Sequence, residues 1–538
     1  IIFTDAYRAH QFDETPLHIR LSLQESMAIE VVWFKRDLRT SDHSPLFEAS
    51  SSNLPVLCLF LVEPQRLAQP DCDPIHIEWE LDCAYELRKK LEATGANLDI
   101  MHNDALEAME EIHAKHTISR IRSHEETGTA WSFDRDKRVS DWCIENKVEW
   151  IEYPNNGVIR GMKGRDKWKT SRDRRMGLDL LAPPKRIAGV QSKHANATMR
   201  SIGMSRRQII HRPIPGQDAA MDVLRSFLSS RGESYRWSMS SPSLAVDSCS
   251  RLAPYFSTGC ISVRRVVQAT SSKMRRLKEA RSRGEDVGGW LQSLSSFQSR
   301  LAWHCHFMQK LEMEPTLDTR AQNPLIDRSM NREMDEERFR AWSEGTTGWP
   351  FFDACMRSLI ATGWINFRMR AMMMSAASYN LWLPWRETGL HLARQFLDYE
   401  PGIHWSQVGM QSGTTGINTV RAYSVIKQGR DHDPNGTFIR NWVSEMGSVP
   451  DKYIHEPWKM PQELQNEVDC VIGKHYPSPI VDEASARKEG VRRTYAARSG
   501  EETREASKKV YQKHGSRRRP AGRRRGRGAR DSRQAKLF

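Results

Sequence analysis

The chain has 538 residues, with 81 Lys and Arg against 67 Asp and Glu and a formal net charge of +14. Such a length exceeds one simple core and predicts two domains plus a tail, and the charge predicts a polyanionic partner. Residues 476–538 alone hold 19 Lys and Arg against 7 Asp and Glu, which excludes a uniformly basic globule.

Nine cysteines stand at 58, 72, 83, 143, 249, 260, 305, 355 and 470. No two form a CxxC pair, so neither a zinc ribbon nor a thioredoxin-like motif is expected, and no metal site is assigned. Scattered thiols in odd number suit a reducing, cytoplasmic setting. The uncharged stretch from Ala371 to Trp385 is too short to span a bilayer, so no membrane partner is expected. The amino-terminal IIFTDAYRAHQFDETPLHIR lacks an apolar core before a small-residue cleavage site. Met27 is the expected native start, with residues 1–27 an extension.

Between 28 and 158 short apolar runs alternate with amphipathic ones. AIEVVWF (28–34), PVLCLFLV (55–62), NLDIM, ISRIRS and VEWIE read as buried strands. Helices are expected at 75–94, 105–116 and 131–147. This alternation predicts a doubly wound parallel α/β sheet, with ligands at the carboxyl ends of its strands. Neither GxGxxG nor GxxxxGK comes after the first strand. That strand runs instead into WFKRDLRTSDH, expected as a solvated charged loop. Residues 159–220 lose periodicity and read as a linker, and 221–475 become helical, with a Met-rich stretch read as core. The remainder, 476–538, is expected as a disordered basic tail.

In the helical half, TGWPFFDACMRSLIATGWINFRMRAM (347–372), LPWRETGLHLARQFLDYEPGIHW (383–405), SGTTGINTVRAY (412–423), KQGRDHDPNGTFIRNWVSEM (427–446) and HEPWKM (455–460) resemble, in order and spacing, the photolyase/cryptochrome flavoproteins. WFKRDLR (33–39) is similar to that family's amino-terminal signature. The resemblance implies an α/β antenna domain followed by a large all-α domain holding FAD. It also implies light-driven electron transfer to a pyrimidine lesion flipped out of ultraviolet-damaged DNA. The competing implication is a cryptochrome photoreceptor without repair. A second antenna chromophore, folate or deazaflavin, belongs to the family, but residues 157–176 give no decisive ligand set for it. A monomer is favoured.

The same resemblance assigns site residues. Tyr235 and Cys249, Ser250, Arg251, Leu252 and Ala253 correspond to a phosphate-cradling segment at a helix start. Phe297, Arg300 and His304 share one helix face toward the flavin. Trp364, Phe367, Tyr399, Glu400, Ile403 and His404 complete the contacts, and Arg370 with Asp398 matches the ion pair beside the flavin ring. Trp385 falls at the middle of the family's tryptophan chain. The other members are missing, so a route through Trp405, Trp382, Trp364 or Tyr399 is expected. Trp303, Met410, Arg421, Lys427, Arg430 and Arg440 are the expected DNA contacts around the cavity mouth.

Three departures bear on substrate. Arg300 stands where dimer-splitting members carry a lesion-binding Glu. His404, or Ile403, replaces the residue facing flavin N5, and Met410 or Gln411 replaces a stacking Trp. Histidines 304 and 404 would then serve as proton donors, as (6-4) photoproduct repair requires. A metal held by His304 and His306 is not expected, because residues two apart on a helix point in different directions.

Overall fold

The computed structural model describes residues 28–162, 164–190 and 194–515. Five strands, β1 (Ile29–Phe34), β2 (Val56–Leu61), β3 (Leu98–Met101), β4 (Ile118–His124) and β5 (Glu149–Tyr153), form one parallel sheet in the order β3-β2-β1-β4-β5. The expected α/β domain is present. Its helices start where short polar side chains cap them. Asp73 accepts from the Ile75 amide ahead of Pro74–Glu92, and Asp104 accepts from the Leu106 amide ahead of Ala105–Lys115.

The strand order switches direction beside β1, whose carboxyl end is therefore the place for a ligand crevice. WFKRDLR stands there, and it is not a solvated loop, since Lys35, Asp37 and Arg39 are buried. Asp37 accepts from His43 Nε2 at 2.9 Å and from His124 Nδ1 at 2.6 Å. His43 Nδ1 accepts from the Leu46 amide, which fixes that ring as a neutral Nε2–H donor. Although burial opposes its charge, Asp37 is held well below the usual carboxylate range by the two histidines. Burial pushes His124 down to about 3. Its native form is thus neutral, while an unfolded histidine takes up a proton below about pH 6.5. Lowering the pH from 7 to 5 is expected to remove about 2 kcal/mol of unfolding free energy through His124 alone. Urea titrations at the two pH values check the sign, and greater stability at pH 5 would contradict it.

The remaining residues of the β1 signature join the domains. Arg39 Nη1 donates to Gly259 O at 3.0 Å, the Leu38 amide donates to Thr258 O at 3.0 Å, and Arg36 Nε donates to Ser257 O at 3.0 Å. One hydrophobic core runs from Val32 and Phe34 on the sheet to Phe227, Tyr255 and Leu301 in the helical part. A second core, around Trp342, Met373 and Trp405, belongs to the helical domain alone. The linker segment contains the helix Trp168–Met176, and a second helix, Gln217–Ser229, begins before its expected end at 220.

Two features depart from expectation. The Met-rich helix Phe367–Ser375 continues as one π-helical stretch, Ala376–Asn380. The tail boundary at 476 is also corrected, because Glu483–Ala497 and Glu501–His514 are helices. They dock because Gly490 has no side chain, and a Cβ there would lie 2.0 Å from Tyr379 O. Arg498 donates to Asn418 O and Gly413 O at 2.8 and 2.7 Å, and Asn323 Nδ2 donates to Thr503 O at 3.2 Å. Residues 516–538, the rest of the expected disordered tail, lie outside the described residues, as do 1–27.

Candidate functional site

A cavity of about 300 Å³ lies within the helical domain. The long helix Trp290–Met313 presents Phe297, Arg300, Trp303 and His304 to it, at helical spacing. The helix Pro401–Ser412 presents Ile403, His404, Gln407 and Gln411 from another wall. Gly402 permits their close approach, since a Cβ there would come within 2.9 Å of Met308 Cα. All seventeen residues assigned to FAD in the sequence line this one cavity. None is displaced.

The segment Cys249–Ala253 crosses one side as a loop entering the short helix Ala253–Ser257. Arg231 holds the loop by donating to Cys249 O at 2.6 Å. Arg251 takes a left-handed φ of +61°, and its guanidinium lies 3.7 Å from the centroid of Trp364. Burial pushes the Cys249 thiol up to about 12, so it is a packing group and not a nucleophile at neutral pH. Tyr235 meets Phe297 edge-on at 5.9 Å.

Arg370 is fixed on every edge. It grips Asp398 with two parallel bonds of 2.9 and 3.0 Å, donates through Nε to Ile365 O at 2.7 Å, and lies 4.1 Å from the centroid of Phe396. Glu400 is gripped from the other domain, by Arg36 with bonds of 3.0 and 3.0 Å. The β1 signature therefore reaches the cavity wall.

The two histidines differ. His404 Nε2 donates to Gly389 O at 2.8 Å, its ring is enclosed by Phe396, Tyr399 and Trp405, and burial lowers it to about 3. His304 has both ring nitrogens buried without a protein partner, and burial with the nearby Arg36 lowers it to about 4. Gln407 likewise has both amide atoms buried and unpartnered, as are Gln411 Oε1 and Asn366 Oδ1. Leaving such groups unsatisfied costs about 1–3 kcal/mol each. They are suited to a ligand with carbonyl and N–H edges, which the flavin ring system carries, and the cavity fits that cofactor. Gln407 was missed in the sequence, and Gln411 was named only as one residue that replaces a stacking Trp. Their signal was periodicity, because they stand four and eight residues beyond Ile403.

Two family models match the chain, described as "DNA photolyase" over residues 30–162 and "FAD binding domain of DNA photolyase" over residues 297–496. The chain belongs to the photolyase/cryptochrome family. A deoxyribodipyrimidine photo-lyase of Alkalihalophilus pseudofirmus is 25% identical over 87% of this chain and 98% of its own length. Cryptochrome-2 of Arabidopsis thaliana is 26% identical over 85% of this chain and 77% of its own. The crystal structure of a class III photolyase from Agrobacterium tumefaciens superposes with a TM-score of 0.76 at 22% identity, covering 89% of this chain and 100% of that one. The photolyase/cryptochrome helical domain is thus the FAD-binding part of this chain.

Of the remaining assignments, Trp303 alone reaches the cavity. Trp303 lines it, with the Arg300 guanidinium 4.4 Å from its ring centroid. Met410, Arg421, Lys427, Arg430 and Arg440 do not line it. Lys427 pairs with Asp431 at 3.1 Å, Arg430 with Glu456, and Arg440 with Asp451 at 2.7 Å. These three sit on helices packed against Pro350–Thr362. Trp385 and Trp405 stand one layer behind the cavity, 6.0 Å apart and edge-on. His306 turns away from His304 toward Trp168. Asp37, His43 and His124 have metal-ligating atoms in one buried group, but they are engaged in bonds to one another.

A second cavity of about 60 Å³ lies between the domains, lined by Arg36, Arg66, Glu80 and Glu126. Arg66 pairs with Glu80 at 2.6 Å, and Arg135 with Glu126 at 2.6 Å. No helix among the described residues is long and apolar enough to cross a membrane.

Proposed function

We propose that this protein is a photolyase that uses FAD and blue light to repair pyrimidine lesions in ultraviolet-damaged DNA. The carrying observation is the set of buried, unpartnered polar atoms on His304, Gln407 and Gln411, gathered on a cavity that also holds every assigned cofactor residue. Bound there, FAD supplies light absorption and one-electron transfer. Arg370, immobilised by Asp398, places a fixed positive charge at the cavity wall, where it favours added negative charge. Phe297, Trp364 and Phe396 exclude water, which strengthens that effect.

The two histidines support one lesion type over the other. His404 is pinned to a backbone carbonyl and His304 is neutral at pH 7, so neither is poised to give up a proton. Splitting a cyclobutane dimer calls for an electron and no such donor, and it is the lesion this reading favours. The test is illumination of reduced, FAD-loaded protein with oligonucleotides carrying either lesion. Turnover of the cyclobutane dimer is expected. Turnover of the (6-4) lesion would refute the lesion assignment, and turnover of neither, with efficient flavin photoreduction, would refute repair.

The second reading is a cryptochrome photoreceptor. Its support is Arg300, which stacks on Trp303 and Phe367 where a lesion-binding Glu would stand.

DNA affinity outside the cavity is assigned to residues 516–538, which hold ten Lys and Arg against one Asp. Truncation after residue 515 is expected to weaken nonspecific DNA binding at low salt more than tenfold and to flatten its salt dependence, at about 0.9 log unit of slope per lost phosphate contact. Flavin loading should not change. Equal binding by the truncated chain would assign the phosphates to the body.

A further inference from the structure

Three side chains meet beyond the end of the cavity helix Pro401–Ser412. Arg332, just past the helix Pro324–Met330, donates to Ser412 O at 3.0 Å. Arg498, at the end of the terminal helix Glu483–Ala497, donates to Gly413 O at 2.7 Å and to Asn418 O at 2.8 Å. Tyr379, on the π-helical stretch, brings its hydroxyl against the same turn, since a Cβ on Gly413 would lie 2.9 Å from Tyr379 Oη and 3.4 Å from Arg498 Nη2. These bonds leave donors unused: Arg332 Nε and Nη1, Arg498 Nε and the Tyr379 hydroxyl are buried without a protein partner. Arg36 and Arg370 are each gripped by a carboxylate, but among the described residues Arg332 and Arg498 form no ion pair. The Trp382 ring covers Arg332, with its centroid 4.7 Å from that guanidinium and 5.3 Å from the guanidinium of Arg493. It does so from a left-handed φ of +56°, which a bulky residue rarely takes.

We propose that Arg332, Arg498 and Tyr379 bind a small monovalent anion of the halide class, which ties the terminal helices to the end of the cavity helix. The site goes beyond the flavin reading and does not depend on it. Two buried guanidiniums without a counter-charge are costly to desolvate and repel each other. Burial lowers Arg332 to about 10, with the nearby Arg498 acting in the same direction, so it is still a cation at neutral pH. Burial raises the Tyr379 phenol, which therefore keeps its proton to donate. Every unused group carries a hydrogen to give, so an acceptor is what the cluster lacks. A water would take these bonds but leave both charges uncompensated, whereas an anion meets both needs. The closeness of Tyr379 Oη to Gly413 suits a single-atom ion better than a tetrahedral phosphate. The helix that presents Gln407 and Gln411 to the cavity is thereby clamped, at its exit, by a segment from the far end of the chain.

Hydrogen exchange of the full-length protein tests this, with sodium chloride replaced by sodium gluconate at constant ionic strength. Between about 1 and about 200 mM chloride, exchange of residues 483–514 should slow more than about tenfold and then saturate, as linkage to one bound ion requires. The strand β1 should not respond. Tyr379→Phe removes one donor to the ion and should raise the chloride midpoint about tenfold or more. Arg332→Gln should abolish the response. Crystals grown in bromide should show an anomalous peak between Arg332, Arg498 and Tyr379. Equal exchange in the two salts, or a slowing uniform over the whole chain, overturns the site, and that comparison needs no variant to fold. A chloride response that survives in Arg332→Gln also overturns it, since the ion then sits elsewhere. A response to inorganic phosphate with none to chloride overturns the halide assignment.

Discussion

Replacing Arg370 with Leu is expected to cost FAD retention and about 3–5 kcal/mol of stability together. The Asp398 side chain is only 4% exposed, so removing its partner strands a buried carboxylate. The same change frees Ile365 O and uncovers the face of Phe396. Arg370→Lys keeps the charge but not the two parallel bonds, and should recover only part of the loss. The double variant Arg370→Leu, Asp398→Asn separates the causes. Removing the stranded charge should recover stability while leaving flavin binding impaired. Urea unfolding and flavin retention on gel filtration measure the two quantities, and an Arg370→Leu protein that keeps both would refute a role for the pair.

Gly259→Ala is the second large effect. Gly259 has φ +69° and packs on the turn after β1, where an added Cβ would lie 2.1 Å from Arg36 O and 2.5 Å from Asp37 Cα. Both are backbone atoms, so no rotamer relieves the contact. The left-handed conformation adds its own penalty. The bonds from Leu38 and Arg39 to Thr258 O and Gly259 O would have to break. A loss of about 3 kcal/mol or more is expected, with thermal unfolding split into separate transitions for the α/β and helical parts. A single transition at the wild-type temperature would show that the joint tolerates the displacement.

The strands were legible because their signal is local. Buried runs such as VLCLFL, bounded by turn residues, have few other conformations open to them. The cavity was legible for another reason: motif spacing carried Arg370 and Asp398 together although 28 residues separate them. The π-helical stretch at 376–380 was hidden, because AASYN continues a helical run with nothing in its composition to mark a change of winding. The helices at 483–497 and 501–514 were hidden by charge. Their outward faces are rich in Lys, Arg and Glu, and the buried Gly490, Thr494 and Ala497 are too small to register as an apolar stripe. Tyr399 with Asp71, and Arg36 with Glu400, were beyond reach for a third reason. Each joins residues hundreds apart, and neither side chain alone differs from an ordinary polar contact.

The Arg36 to Glu400 contact spans 364 residues, and the Asp71 to Tyr399 contact 328. A ribosome has therefore made most of the polypeptide before either can close. The α/β half can collapse early, since its sheet pairs segments that are near neighbours in synthesis. The cavity wall must wait for the segment after Asp398, and the clasp made by Asn323 on Thr503 closes later still. The cavity wall can therefore be completed only after Gln411 has been made, whereas every strand of the sheet is available once Tyr153 has been made.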